Sequence, residues 1–353
     1  MNVVDLFAGV GGMSEGFRMA GHNIAFAIEF DKEIADAYAK NHAGTTVYVD
    51  DICSLDATEI HQKFPNVDII VGGPPCQGFS QKGKRLSLDD PRNFLFKQFA
   101  RFVKEFSPKY FVIENVPNII TTSNGYFKDQ IVSEFEILGY SVSYGVLYAK
   151  DFGVPQDRRR AVFIGRKGDK KVDLPKPNGM STTVKDAIYD LPFIASGEGT
   201  ETAKYLSKPK SDYQKLMRGD EKVLHNHVAT AHSELALQRL SLIPKGAGKE
   251  VLPEEHRTKS IYSGTWCRLI EDDVSSTITT RFDTPSSGRF THPVLNRCLT
   301  VREAARIQSF PDSFVFYGPK TSQMKQVGNA VPPLLAKAIA QTITDFENND
   351  HEI

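Results

Sequence analysis

Residues 3–12 read VVDLFAGVGG, an apolar run of five residues that stops at a turn of small residues. The next stretch, 13–20, has apolar and polar residues in the spacing of a helix. A strand that enters a glycine turn and then a helix is the first element of a doubly wound α/β sheet. These residues therefore predict the fold class.

Further strand-like runs follow, at intervals long enough to hold helices. They are AFAIEF (25–30), TTVYVDD (45–51), VDIIVGG (67–73), KYFVIENV (109–116) and RAVFIGRK (160–167), with a helical segment over 31–41. Strands that alternate with helices form mostly parallel sheets with helices on both faces. We expect a Rossmann-like sheet.

The composition changes at about residue 169, where Gly, Pro and Lys become frequent and the apolar residues no longer recur at a regular helical or strand spacing. Long irregular connections in a compact protein are usually functional or form small accessory domains. We therefore predict a second, smaller and irregular domain at 176–289.

Regular patterns return near the C-terminus. Thr300 and Glu303 have the spacing of a capping box, and a final helix begins at Pro332-Pro333 with one apolar stripe. That stripe must pack on something. We expect the C-terminus to fold back and complete a first domain of residues 1–175 plus 290–353.

The composition is that of an ordinary globular chain, with 353 residues of which 40% are hydrophobic. It excludes disorder and miniature scaffolds. No apolar run approaches the ~20 residues of a membrane helix, and no leader is evident, so we expect a cytoplasmic protein without a membrane partner. The four cysteines, at 53, 76, 267 and 298, are too far apart for a zinc-binding CxxC pair.

The formal net charge is zero, with 43 basic and 43 acidic residues, which at first argues against a nucleic-acid partner. Counted by segment, residues 1–164 hold 17 basic and 20 acidic side chains, and residues 165–296 hold 20 and 17. The stretch 81–101 carries six basic and two acidic side chains. Neutrality therefore conceals a slightly basic second domain and a basic segment in the first.

The first strand-to-helix turn has the features of a nucleotide site. Glu29 ends the second strand, twenty residues after Gly9, where an acidic residue accepts hydrogen bonds from ribose hydroxyls. Asp51 adds an acceptor for an adenine amino group, and Phe30 offers a ring to pack on the base. The glycine spacing, G-x-G-G-x-x-x-G, departs from the dinucleotide fingerprint. Both NAD, hence an oxidoreductase, and another adenosyl ligand stay open at this point.

Cys76 differs from the other cysteines, which fit buried core thiols. It lies in PPCQGFS, a turn at the carboxyl end of a strand, where active sites of this architecture collect. Nearby positive charge would activate its thiol as a nucleophile. Glu114 ends another strand and could donate a proton, and Arg158 and Arg160 alternate so that both could point to one face.

Together, six blocks resemble the cytosine-C5 DNA methyltransferases of bacterial restriction-modification systems. The blocks are DLFAGVGG with Glu29, PPCQGFS, ENV, QDRRR, LTVREAARIQSFPDSF and GNAVPP, and their order and spacing match over residues 5–333. The resemblance implies S-adenosylmethionine as cofactor, S-adenosylhomocysteine as product, and no metal. It assigns the cofactor pocket to Phe7, Gly9, Gly11, Gly12, Glu29, Phe30, Asp51, Ile52, Pro75 and Asn329.

The resemblance also implies a mechanism. Cys76 would add to C6 of cytosine, Glu114 would bind N3 and the exocyclic amine, Arg158 would hold O2, and Arg160 would support the site. The cytosine must be flipped out of the duplex, and we expect 81–101 to form a mobile lid over it.

The resemblance implies duplex DNA as the partner and a cognate restriction endonuclease in the same system. We expect the enzyme itself to be a monomer. In the family, the segment between QDRRR and LTVREAARIQ reads the sequence. The candidate DNA contacts are Gln77, Ser80, Lys82, Lys84, Arg85, Thr279, Arg281 and Arg289.

Three alternatives are weighed against this interpretation. One branch of the family methylates tRNA, but it typically has a short variable segment, unlike this chain. A catalytically dead binding module would be expected to lack Cys76, Glu114 or Arg158, and all three are present. A metal site at His225, His227 and His232 has no Cys or acidic partner at ligand spacing.

Overall fold

A computed structural model describes residues 1–75, 95–260 and 263–350. Its strands are β1 (Asn2–Leu6), β2 (Asn23–Ile28), β3 (Thr46–Tyr48), β4 (Ile69–Gly72), β5 (Tyr110–Asn115), β6 (Tyr140–Tyr148), β7 (Gln156–Asp157), β8 (Arg159–Lys167), β9 (Gly199–Lys204), β10 (Val223–Val228) and β11 (Ser275–Ser276). Its α-helices are α1 (Gly12–Met19), α2 (Lys32–Asn41), α3 (Ala57–Lys63), α4 (Phe96–Phe106), α5 (Tyr126–Ile137), α6 (Val184–Ile188), α7 (Asp212–Arg218), α8 (Glu234–Leu242), α9 (Val301–Ile307), α10 (Lys320–Asn329) and α11 (Pro333–Asp350).

The main sheet has seven strands in the order β3-β2-β1-β4-β5-β8-β6. Neighbours from β3 to β5 are parallel, whereas β8 is antiparallel to both β5 and β6. The predicted α/β class with a mostly parallel, Rossmann-like sheet is confirmed. Because these strands are parallel, the carboxyl ends of β1 to β5 share one edge of the sheet. The strand order reverses between β1 and β4, and ligands bind at such a point beyond the carboxyl ends.

The chain divides into two compact units. Unit 1 consists of Met1–Phe152, Arg159–Asn178 and Val331–Ile353, and unit 2 of Gly153–Arg158 and Gly179–Ala330. This division differs from the sequence-based one at residues 153–158, which belong to unit 2, at 176–178, which belong to unit 1, and above all over 290–330, which pack within unit 2. The physical reason is that α9 contacts α6 and β10, both of which belong to unit 2.

Unit 1 has a core on each face of its sheet. On one face Phe99, Phe111 and Phe135 are fully buried, with ring centroids 4.0 Å apart for Phe111 and Phe135. Each such ring stabilises the fold by about 1.5–3 kcal/mol through the hydrophobic effect. α11 packs against α1 so closely that a Cβ on Gly16 would lie 2.4 Å from the Cβ of Ala336. The C-terminal helix is therefore part of unit 1.

Two local predictions for the C-terminal part are confirmed. The Thr300 hydroxyl accepts a hydrogen bond from the Glu303 amide, and the Glu303 carboxylate accepts one from the Thr300 amide, which makes the capping box at the start of α9. The last helix begins at Pro333. Among the described helices, none combines the length and the apolar composition required to cross a membrane.

Candidate active site

The turn between β1 and α1 brings its glycine backbone to Glu29. The amide of Gly9 donates to Glu29 Oε2 and the amide of Asp31 donates to Oε1, both at 2.8 Å. Gly9 has φ +57°, and a Cβ there would meet nothing within 4 Å. The turn is therefore open above Gly9, which leaves room for a ligand beside the carboxylate.

Gly11 performs a different role in the same turn. Its φ is +95°, and a Cβ there would lie 2.3 Å from Cε1 of His42 and 2.7 Å from Cε2 of Tyr38. The side chains of Tyr38 on α2 and of His42 just after it thus pack against the turn. Only glycine fits between them and α1, which begins at Gly12.

The turn is supported by a buried polar cluster of Asp5, Ser14 and Tyr38, which the sequence alone does not single out. The Ser14 hydroxyl donates to Asp5 Oδ2 at 2.6 Å and lies 2.7 Å from the hydroxyl of Tyr38, whose ring stacks on His42. Burial raises the pKa of Asp5 to about 7. The available signal was an acidic residue inside the apolar run VVDLF.

The ends of β2 and β3 supply the remaining groups of the expected cofactor pocket in unit 1. Phe30 follows Glu29 directly, and its residue surface is 74% exposed. Asp51 is exposed and accepts from the amide of Cys53, while Ile52 is buried and its carbonyl accepts from Arg101. An open glycine turn, two carboxylates and an unpacked aromatic ring suit the ribose and base of an adenosyl ligand. Phe7 begins the turn, with φ +60°.

Glu114 and Arg160 form an ion pair at the same edge of the sheet. Glu114 on β5 pairs with Val162 on β8, and Arg160 lies two residues from Val162, so both side chains emerge on one face. Arg160 Nε is 2.5 Å from Glu114 Oε1, and the side chains are 14% and 10% exposed. The carboxylate is therefore fixed in direction by a cation from the neighbouring strand.

The same strand end fixes the chain that leads to Cys76. The Asn115 side-chain amide donates to the carbonyl of Pro74 at 2.8 Å, and a Cβ on Gly73 would lie 3.1 Å from Glu114 Oε2. Pro75 follows and is exposed. The predicted residues that lie outside the described residues are Cys76, Gln77, Ser80, Lys82, Lys84 and Arg85.

The expected lid at 81–101 is wrong at its C-terminal end. Phe96 begins α4, and Phe96 and Phe99 belong to the buried core. Arg101 donates to the carbonyls of Ile52 and Leu55. This part of the segment is anchored because its apolar helix face packs on the sheet, and most of the remainder of 81–101 lies outside the described residues.

The expectation for Arg158 is also revised. Its side chain is buried in unit 2, where Nη1 donates to the carbonyl of Ile278 and Nη2 to the carbonyl of Gly328, each at 2.9 Å. Arg158 and Arg160 thus bind different partners, although they alternate in sequence. Arg160, and not Arg158, is the arginine that contacts Glu114.

Unit 2 carries the other predicted contacts. Arg281 is exposed and lies 3.3 Å from the Asp283 carboxylate, and Thr279 is partly buried. Arg289 is partly buried and donates to the carbonyl of Arg268. Asn329 is exposed at the end of α10.

Two of the three histidines considered for a metal, His227 and His232, are engaged in hydrogen bonds within unit 2. His227 bonds the Thr300 hydroxyl and the Pro192 carbonyl, and His232 accepts from the Cys298 amide. Within the described ranges, no group of three or more His, Cys, Asp or Glu side chains could hold a metal ion.

Comparison with known proteins decides the family. The model of the C-5 cytosine-specific DNA methylases matches residues 1–345. The chain is 41% identical over 377 residues to the Type II methyltransferase M.DdeI of Desulfomicrobium norvegicum, with 99% of this chain and 90% of that protein covered. The chain belongs to the C-5 cytosine-specific DNA methylase family. Type II methyltransferase M1.HphI of Haemophilus parahaemolyticus is 39% identical to this methylase, with 99% and 88% covered.

Solved structures show the same fold. A protein assigned as a DNA modification methyltransferase of an E. coli prophage matches this methylase with a TM-score of 0.82 and 30% identity, over 99% of both chains. The Spodoptera frugiperda DNMT2 structure matches with a TM-score of 0.63 at 16% identity, over 97% of this chain and 99% of that one, which shows the fold alone. As a methylase of this family, the protein is a DNA (cytosine-5-)-methyltransferase and uses a methyl donor of the S-adenosylmethionine type.

Proposed function

We propose that the enzyme methylates C5 of a flipped-out cytosine within a specific sequence of duplex DNA, through a covalent bond between Cys76 and C6. The single observation that carries this proposal is the Glu114–Arg160 pair beside the chain that enters the PPCQGFS turn. The ion pair and the Asn115–Pro74 hydrogen bond lie at one strand end, and Pro74 stands two residues before the proposed nucleophile in the sequence.

The chemistry requires such an arrangement. C5 of cytosine is too weak a nucleophile to accept a methyl group unaided, and addition of the Cys76 thiolate to C6 makes C5 enamine-like. Glu114 accepts a hydrogen bond from the exocyclic amine, and a proton held between its carboxyl group and N3 stabilises the negative charge that develops on the ring during attack. C5 then takes the methyl group from the donor. The reaction ends when C5 gives up its proton to a base and the bond between C6 and the sulfur of Cys76 breaks, which restores the ring and releases the thiolate.

We assign to Arg160, instead of Arg158, the role of holding O2 of the cytosine. Its guanidinium orients Glu114 and has further N–H donors in a planar fork, one of which reaches the carbonyl of Arg159. A carbonyl such as O2 of cytosine is a suitable acceptor for a guanidinium. In this account Arg158 does not contact the base.

The residues of the β1–α1 turn and of the ends of β2 and β3 would hold S-adenosylmethionine. When bound, this cofactor supplies an electrophilic methyl group. Glu29 binds the ribose hydroxyls, Asp51 the adenine amino group, and Phe30 packs on the base. From unit 2, Asn329 is proposed as a further cofactor contact.

The biological setting is proposed from the names of the relatives. M.DdeI and M1.HphI are Type II methyltransferases. We place this enzyme in a bacterial restriction-modification system, acting as a cytoplasmic monomer whose cognate endonuclease is a functional partner.

The test is methyl transfer by the purified enzyme. Labelled S-adenosylmethionine is incubated with duplex DNA of mixed sequence and, in parallel, with tRNA, using wild type and Cys76→Ala. We expect label in DNA from the wild type alone. Label in tRNA only, no label in either nucleic acid, or undiminished label from the variant would contradict the proposal.

A further inference from the structure

The stretch that follows β11 runs beside the QDRRR motif, within unit 2. β11 pairs in parallel with β7, with Ser275 opposite Gln156. The amide of Ser275 donates to the carbonyl of Pro155 at 2.9 Å, and the Thr277 hydroxyl donates to the carbonyl of Asp157 at 2.8 Å. Residues 275–277 are therefore attached to the motif by hydrogen bonds along its backbone.

At Ile278 the side chains of the motif replace the backbone as partners. Gln156 Oε1 accepts from the amide of Ile278 at 2.8 Å, and Arg158 Nη1 donates to its carbonyl at 2.9 Å. Both polar groups of the Ile278 backbone are thus held by two buried side chains. Thr279 and Arg281 follow Ile278 in the chain, so these two hydrogen bonds fix the backbone position from which their side chains extend.

The same two side chains are anchored on the other side by helices α9 and α10. Arg158 Nη2 donates to the carbonyl of Gly328, and Gln156 donates to Gln308, whose amide in turn donates to the carbonyls of Val327 and Ala330. A Cβ on Gly328 would lie 2.4 Å from the carbonyl oxygen of Thr279. The backbone at Thr279 therefore rests directly on the end of α10.

We propose that Gln156 and Arg158 are positioning residues for DNA recognition, which clamp the backbone of Ile278 so that Thr279 and Arg281 meet the duplex in a fixed register. The inference rests on the proposed function, because it takes 277–281 as a DNA-contacting stretch. It predicts that damage to the clamp reduces sequence discrimination, whereas the Glu114–Arg160 pair, held by contacts in unit 1, keeps its chemistry.

The first test compares Arg158→Lys with Arg159→Lys, a matched control at the neighbouring exposed arginine. A single ammonium does not reproduce the planar fork that spans two carbonyls. Each variant is assayed on a duplex with the site that the wild type methylates, identified by bisulfite sequencing, and on duplexes with one base pair of that site changed. For Arg158→Lys we expect the ratio of kcat/KM between correct and altered sites to fall by about tenfold or more.

In the same assay, kcat of Arg158→Lys at saturating DNA should stay within about threefold of wild type, and the control should change neither quantity. A loss of kcat with an unchanged ratio would make Arg158 a base-contacting residue and overturn the proposal. Identical behaviour of the two variants would also overturn it.

A second variant and a direct measurement cover the case in which Arg158→Lys does not fold. Gly328→Ala places a Cβ against the carbonyl oxygen of Thr279. This variant should also lower the ratio of kcat/KM between correct and altered sites, and an unchanged ratio contradicts the clamp. In the wild type, hydrogen exchange should show the Ile278 amide as protected as core amides, and exchange at the rate of an open loop would refute the clamp. If the wild type methylates no DNA, the proposed function fails while the exchange result still reports on the clamp.

Discussion

Asp5 places a carboxyl group inside the buried strand β1, next to the β1–α1 turn. Burial raises the pKa of Asp5 from 3.8 to about 7. The unfolded chain releases this proton at about pH 4, whereas the folded protein keeps it until about pH 7. Folding therefore takes up a proton between these values, and the stability falls as the pH rises through this window and then levels off.

Asp5→Asn should remove this pH dependence, since an amide oxygen also accepts from Ser14 and carries no charge. Between about pH 5 and about pH 8, the free energy of unfolding of the wild type should fall relative to that of Asp5→Asn by about 3 kcal/mol. Urea denaturation at the two pH values measures the difference. Asp36→Asn, at an exposed site on α2, is the control and should keep the wild-type slope, and an equal slope in Asp5→Asn would refute the account.

At the scale of single residues, the sequence indicated which residue types form the site better than it indicated their partners. Glu114 and Asn115 end β5 and Arg160 lies at the start of the antiparallel strand β8, so all three lie at one edge of the sheet. Their places at the ends of the apolar runs predict this position. The fate of Arg158 depends on carbonyls of Ile278 and Gly328, more than a hundred residues away in the chain. Local alternation carries no information on such contacts, so it predicts similar partners for both arginines.

The β1–α1 turn is the element on which the proposed cofactor binding depends, and its glycines allow a sharp comparison. Gly11→Ala incurs the cost of φ +95° and in addition drives a Cβ into Tyr38 and His42. Gly44→Ala is the matched control, because Gly44 has φ +90° and open space around it. Both lose about 1–2 kcal/mol of stability from backbone strain.

Gly11→Ala should lose about a further 1–3 kcal/mol through overpacking and should bind S-adenosylmethionine at least about tenfold more weakly, because the turn is displaced. Denaturation and titration calorimetry measure the two effects. Equal stability and equal affinity in the two variants would show that the turn does not need a glycine at this place.

At the scale of elements, apolar runs located six strands of the main sheet to within a few residues. Apolar runs do not reveal β6, because YSVSYGVLY lacks the continuous apolar run of the other strands and only three of its nine residues are buried, at the antiparallel edge of the sheet. The first part of α4 falls in the predicted lid because the whole stretch 81–101 carries six basic and two acidic side chains. Its buried stripe of phenylalanines determines its place in the core instead.

For the whole molecule, composition indicates an ordinary globular chain, but the net charge points away from the correct partner. A net charge of zero argues against DNA, yet the chain belongs to a family of DNA methylases. Charge summed over the chain is the wrong scale, since DNA meets only local surfaces. The expected domain border near residue 290 also failed to match the two units, because a capping box marks the start of a helix and not the unit on which that helix packs.

The central claim is that Cys76 attacks cytosine beside the Glu114–Arg160 pair, and covalent trapping tests it most directly. On a duplex containing 5-fluorocytosine, with S-adenosylmethionine present, fluorine cannot leave as a proton, so the adduct should persist through denaturing electrophoresis. The account predicts a trapped wild-type complex whose DNA maps by mass spectrometry to Cys76, little trapping by Glu114→Gln, and none by Cys76→Ala. An adduct that maps to the exposed Cys53, or trapping by Cys76→Ala at the wild-type level, would contradict it.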